Sequence, residues 1–159
     1  MKITCIAIGK IKEKFYRQAI EEFQKRLQKY CKLEIIEVAD EKTPDKAGVK
    51  IEEQIRAIEG ERVLKYVKEN DYVIALAIEG QGLDSEKLAA KIENLGISGQ
   101  SNITFVIGGS LGLSAAVLKR ADYQLSFSAM TFPHQLMRVI LLEQVYRSFR
   151  IINGEPYHK

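Results

Sequence analysis

Hydrophobic positions along the chain alternate between two periods. Ile3-Thr4-Cys5-Ile6-Ala7-Ile8 is apolar on both faces, the pattern of a parallel strand covered on each side, and Gly9 ends it. Tyr16, Ile20, Phe23, Leu27 and Tyr30 then recur at spacings of four and three, which predicts a helix over about 12–30 with one apolar stripe. Leu33 to Val38 is predicted as a second strand. Asp40 to Gly48, with Pro44 and five charged residues, reads as a loop. Ile51, Ile55, Ile58, Val63 and Val67 predict a second helix, which Gly60 should weaken by about 1 kcal/mol. Tyr72 to Ile78 forms a third buried strand, closed by Gly80-Gln81-Gly82. A helix from Glu86 to Leu95 follows, capped by Asp84 or Ser85. The fourth strand, Ile103 to Ile107, runs into Gly108-Gly109-Ser110-Leu111-Gly112. A short helix from Ala115 to Arg120 leads to a fifth strand at Tyr123 to Phe127. The last helix opens at Pro133 and stops at Asn153-Gly154.

Strands alternating with helices predict a three-layer α/β fold: a mostly parallel five-stranded sheet with helices on both faces. At 159 residues the chain suits a single domain, 1–159, with its own core. The last helix is apolar on most sides. Leu136, Val139, Ile140 and Leu142 cannot all face one small sheet, so a subunit interface is expected to cover them.

The composition, 46% hydrophobic and 28% charged, excludes disorder, collagen and coiled coil. No stretch approaches the roughly 20 apolar residues of a membrane-spanning helix. The chain enters a strand pattern at once, without a leader-like segment, and reads as cytoplasmic. Cys5 and Cys31 are too few for a disulfide framework, and Cys5 reads as a buried thiol. With only two histidines, His134 and His158, no metal site is expected. Charge is uneven. Residues 1–32 hold nine Lys or Arg against three acids and 138–159 hold four against two, so the middle is acidic within a net charge of +3. Basic ends suit a phosphate-bearing partner if the fold brings them together, whereas solvated helix faces are the plainer explanation.

Ligands of open α/β sheets sit beyond the carboxyl ends of the strands. Those ends are Gly9-Lys10, Ile78-Glu79-Gly80, Gly108-Gly109-Ser110, and Ser126 to Phe132. The glycine-rich loop follows the fourth strand and contains no lysine, so neither a dinucleotide fingerprint nor a P-loop is present. Gly108 to Gly112 does match G-x-S-x-G, the nucleophile elbow of serine hydrolases, with Asp122 and a histidine following in order. A hydrolase using Ser110 is therefore one competing reading, and a non-enzymatic basic RNA-binding module another. Pro156-Tyr157-His158-Lys159 offers an aromatic, an imidazole and an ammonium, groups that stack on bases and contact phosphate, unless it is a frayed terminus.

Three segments carry a resemblance: Ser126 through Thr131-Phe132-Pro133-His134-Gln135-Leu136-Met137-Arg138, then Glu143-Gln144-Val145-Tyr146-Arg147, and the ending Pro156-Tyr157-His158-Lys159. They resemble the ribosomal large subunit methyltransferase H family, of the SPOUT superfamily. Lys2-Ile3, Gly9-Lys10-Ile11-Lys12 and Val106-Ile107-Gly108-Gly109-Ser110 match as well, so the resemblance covers essentially the whole chain. It implies a C-terminal trefoil knot, a homodimer, and S-adenosylmethionine-dependent methylation of N3 of a pseudouridine in a stem-loop of 23S rRNA, in the ribosome or its large subunit. It also implies cofactor contacts at Leu76, Gly108, Phe127, Ser128, Ala129, Met130, Thr131 and Phe132. Tyr157 and His158, supported by Arg147, are expected on the RNA side. Methyl transfer of this kind is an in-line displacement that needs positioning and no metal. The imide nitrogen must lose its proton, and imidazole is the only side chain of the tail that titrates near neutrality, so His158 is a candidate base.

Overall fold

The computed structural model describes residues 1–159. In chain order the elements are β1 (Lys2–Ile8), α1 (Lys14–Leu27), β2 (Lys32–Val38), α2 (Val49–Leu64), β3 (Tyr72–Gly82), α3 (Ser85–Ile97), β4 (Asn102–Ile107), α4 (Ala115–Arg120), β5 (Tyr123–Ser126) and α5 (His134–Ile152). The five strands form one sheet in the order β2-β1-β4-β3-β5, and every pairing is parallel.

Alternation along the strands divides the core between the two faces. Ile3, Cys5, Ala7, Ile103, Phe105 and Ile107 point to one side, where Ile20 and Leu27 of α1, Leu88 and Ile92 of α3, and Leu141, Leu142 and Val145 of α5 cover them. Ile6, Ile8, Val73 and Val106 point to the other, against Val63 of α2 and Val117 of α4. Crossovers on the α1/α3 face step along the sheet in one direction and those on the α2/α4 face in the opposite one. One handedness of crossover requires that arrangement.

Three expectations change. The glycines after Ile78 do not close the third strand. Leu76 and Gln81 both oppose Leu125, so 77–80 bulge out and β3 rejoins β5 as far as Gly82. Gly80 makes this possible, because a Cβ there would lie 2.6 Å from the Gln124 carbonyl oxygen. Gly60 is likewise more than a weak spot in α2. A Cβ on it would stand 3.0 Å from the Ser114 Cβ, so it lets α2 pack closely on α4. Finally, α5 finds most of its cover inside the chain. It lies between α1 and α3 above the sheet, and none of its side chains is fully exposed. Leu142 is core; Leu136, Val139 and Ile140 are half-buried.

To reach that place, the chain leaves β5 at the sheet edge and returns across the carboxyl ends of β3 and β4. Those ends become the wall and floor of a cavity.

Candidate active site

The cavity has a volume of about 510 Å³, within the usual range for small-molecule sites. Three backbone segments enclose it: 76–79 from the β3 bulge, 107–113 after β4, and 127–132 after β5. His134 and Met137, in the first turn of α5, complete the wall. Of the residues singled out for cofactor binding, Leu76, Gly108, Phe127, Ser128, Met130, Thr131 and Phe132 line the cavity, and Ala129 does not. Leu113, Leu118, Leu125 and Met137 add apolar wall that the sequence analysis missed. Their only signal was apolarity, which core positions share. The end of β1 serves elsewhere: the carbonyls of Ile8 and Gly9 accept from the buried guanidinium of Arg138, at 3.1 and 2.6 Å.

Local geometry explains the residue types. Gly112 has φ +81°, a left-handed conformation that suits glycine, and its N–H donates to the Gly109 carbonyl at 3.1 Å. The resulting tight turn brings backbone so close that a Cβ on Gly108 would lie 2.9 Å from the carbonyl carbon of Gly112. The third segment is braced by serines: Ser126 Oγ donates to the Ser128 carbonyl, and Ser128 Oγ accepts from the Met130 N–H. Met130 and Phe132 stand exposed at the mouth. Burial, with the nearby Arg138 charge, holds the pKa of His134 below its ordinary value, so it sits there neutral. A largely apolar chamber with backbone polar groups at its rim, whose one acidic lining residue, Glu79, is solvent-exposed, fits an adenosyl group, and glycines let it approach the main chain.

A hydrolase triad is not assembled. Asp122 accepts from the Val73 N–H at 2.8 Å and pairs with Arg120, away from either histidine. Ser110 sits in the turn, while α4 begins only after its cap, Ser114. Cys5 is fully buried, and desolvation pushes its thiol up to about 12, so it is inert.

Arg147, Tyr157 and His158 form a second group, outside the cavity. Glu143 Oε1 accepts from Arg147 Nε and Nη2 at 3.0 and 2.6 Å and from the Tyr157 hydroxyl at 3.0 Å. The Arg147 guanidinium lies 4.7 Å over the Tyr157 ring, and its Nη1 is 3.2 Å from His158 Nδ1. Burial, then Glu143, raises the Tyr157 pKa above its usual value, so the phenol keeps its proton. In the sequence Glu143 is only one residue of a motif, yet in the fold it organises the group. The tail is no frayed end: Glu155 binds Lys29, Tyr30 and Arg150, and Arg150 also holds the Pro156 carbonyl. α1 packs on α5, so the two basic ends of the chain meet. Arg147 follows Met137 by ten residues, about 15 Å along the helix axis. Within one chain the tail therefore stands well apart from the cavity.

Comparison with known proteins agrees with this geometry. Residues 1–158 match the family model described as "Predicted SPOUT methyltransferase". The chain belongs to the SPOUT methyltransferase family. It is 65% identical to a protein of Bifidobacterium adolescentis named ribosomal RNA large subunit methyltransferase H, over the full length of both. Proteins of the same name in Clostridium kluyveri and, with a numeral appended, Clostridium perfringens are 58% and 62% identical, again over both full lengths. A solved structure described as a probable methylase family protein from Haemophilus influenzae matches 99% of this chain and 70% of its own, with a TM-score of 0.53 at 14% identity, which speaks to the fold alone. For a SPOUT methyltransferase, a glycine-lined chamber beyond the strand ends is the place to look for the methyl donor. No helix is long and apolar enough to cross a membrane.

Proposed function

We propose that this SPOUT methyltransferase methylates N3 of a pseudouridine in a 23S rRNA stem-loop of the large ribosomal subunit, using S-adenosylmethionine held in the 510 Å³ cavity. The observation that carries the reading is the convergence of three strand-end segments, 76–79, 107–113 and 127–132, on one mostly apolar chamber in a chain similar throughout to proteins named for rRNA methylation. When bound, S-adenosylmethionine supplies a methyl group on a positively charged sulfur. Leu76, Gly108, Phe127, Ser128, Met130, Thr131 and Phe132 would hold its adenosyl part through apolar contact and main-chain polar groups. Phe132 and Met130 shield the mouth from water.

The target base needs other side chains. Tyr157 stacks or hydrogen-bonds, Arg147 carries a fixed positive charge that favours the imide anion, and the basic α1 neutralises phosphates. Since tail and cavity lie apart in one chain, a second copy supplies the tail. A homodimer built on the half-buried Leu136, Val139 and Ile140 of α5 unites one copy's cavity with its partner's Tyr157 and His158. The return of the chain from β5 to a place between α1 and α3 supports the knotted threading that the resemblance implies. Ribosomes place the enzyme in the cytoplasm.

Purified large subunits and whole ribosomes, incubated with labelled S-adenosylmethionine and mapped by mass spectrometry, test the reading. A single new methyl on one pseudouridine is expected. Cofactor binding without transfer to any ribosomal substrate would overturn it, and RNA binding without cofactor affinity would favour a plain binding module.

A further inference from the structure

The tail group contains a constraint on protons that its members do not show singly. Glu143 Oε1 takes both Nε and Nη2 of Arg147, and the guanidinium plane rests over Tyr157. Only the Nη1 edge remains free to turn outward, and it lies 3.2 Å from Nδ1 of His158. Arginine donates and never accepts, so this contact requires a lone pair on Nδ1. A neutral imidazole with its lone pair on Nδ1 carries its proton on Nε2. Turning the ring over would set a carbon against the guanidinium. The Nε2 edge faces Glu86 at 3.7 Å, beyond hydrogen-bonding range, and that carboxylate is 77% exposed. His158 thus presents an N–H whose partner is still to come.

We propose that His158 meets the target base as a hydrogen-bond donor through Nε2–H, and is not the group that removes the N3 proton. The inference rests on the reading that the tail lies on the RNA side of the site. N3 of the target lies between two ring carbonyls. When its proton passes to solvent water, the negative charge left behind spreads over N3 and both oxygens. An N–H held against one of those oxygens binds more strongly as that charge develops, so it stabilises the anion that attacks. A general base would need a lone pair on the edge where Arg147 has forced a proton. Glu143 is the positioning residue behind this arrangement, acting through Arg147.

The free protein gives the first test. With two histidines in the chain, long-range ¹H–¹⁵N correlation of histidine-labelled protein resolves both rings, and His134→Gln assigns them. At a pH where imidazole is neutral, His158 is expected as the Nε2–H tautomer, and an Nδ1–H tautomer would overturn the proposal. The second test is turnover on ribosomal substrate, with S-adenosylhomocysteine affinity measured alongside. His158→Gln keeps a donor near the Nε2 position and cannot titrate, so it should stay within a few-fold of the parent, while His158→Ala loses about ten- to hundredfold. His158→Gln as inactive as His158→Ala, with cofactor affinity intact, would mean that the ring acts as the base. Full turnover in His158→Ala would instead remove the tail from the site and overturn the reading beneath the proposal.

Discussion

Glu59 shows how closely single residues near the cavity are balanced. Its carboxylate is buried against Gly109, accepts from the Glu41 N–H at 3.0 Å, and has Asp40 and Glu41 for neighbours. Burial above all, helped by the Asp40 and Glu41 charges, raises its pKa above the usual carboxylate range, with the hydrogen bond from the Glu41 N–H and then Arg62 opposing. A carboxyl whose pKa rises on folding stabilises the fold below its unfolded pKa, and the benefit is lost as pH rises through the folded value. At neutral pH the ionised group is therefore a burden. Glu59→Gln keeps an acceptor for Glu41 and drops the charge, so it should raise the melting temperature at pH 7.5. The gain should shrink as pH falls toward 4.5, where the parent becomes neutral too. Thermal melts across that range check it, and a Glu59→Gln protein less stable at every pH would show that the charge is needed.

At the scale of elements, Gly60 makes the sharper case. Alanine in a helix interior ordinarily gains about 1 kcal/mol over glycine. Here the added methyl meets Ser114, which also caps α4 by accepting from the Val117 N–H. Gly60→Ala should instead destabilise by roughly 1–3 kcal/mol in urea titrations. The loss should be smaller in a Ser114→Gly background, because the two positions interact directly. The order of strands and helices was legible because periods of two and of three to four are local. What Gly60, Gly80 and Leu142 do was not, since each is decided by contact with a distant segment. Gly80 looked like a stop after Ile78 and is the last residue of the bulge before β3 rejoins β5 at Gln81. The breadth of the apolar surface on α5 looked like an interface, and two flanking helices account for much of it. Strand-end loops were legible as a site because α/β topology puts ligands there; the apolar walls and Glu143 were not, because nothing in one sequence separates them from core or surface.

For the whole molecule, the separation of cavity and tail is the main consequence. Lys29, Tyr30, Arg150 and Glu155 fasten the tail to α5 and to the turn that follows α1, so its four last residues are presented as a rigid unit rather than a loose arm. Removing Pro156 to Lys159 should leave cofactor affinity nearly unchanged and reduce methyl transfer severely. A deletion that abolishes cofactor affinity and lowers the melting temperature would make the tail structural. Sedimentation at micromolar concentration should show about twice 18.0 kDa, and a stable, active monomer would contradict the shared site.

The cavity itself is tested most directly by titration calorimetry with S-adenosylhomocysteine on the parent, the tail deletion and Gly108→Ala, with melting temperatures recorded for each. Binding should be saturable in the parent, nearly unchanged in the deletion, and lost or greatly weakened in Gly108→Ala, whose Cβ would lie 2.9 Å from the backbone of Gly112. Absence of binding to the parent, or parent-like binding by a folded Gly108→Ala, would contradict the assignment of this chamber as the site of the methyl donor.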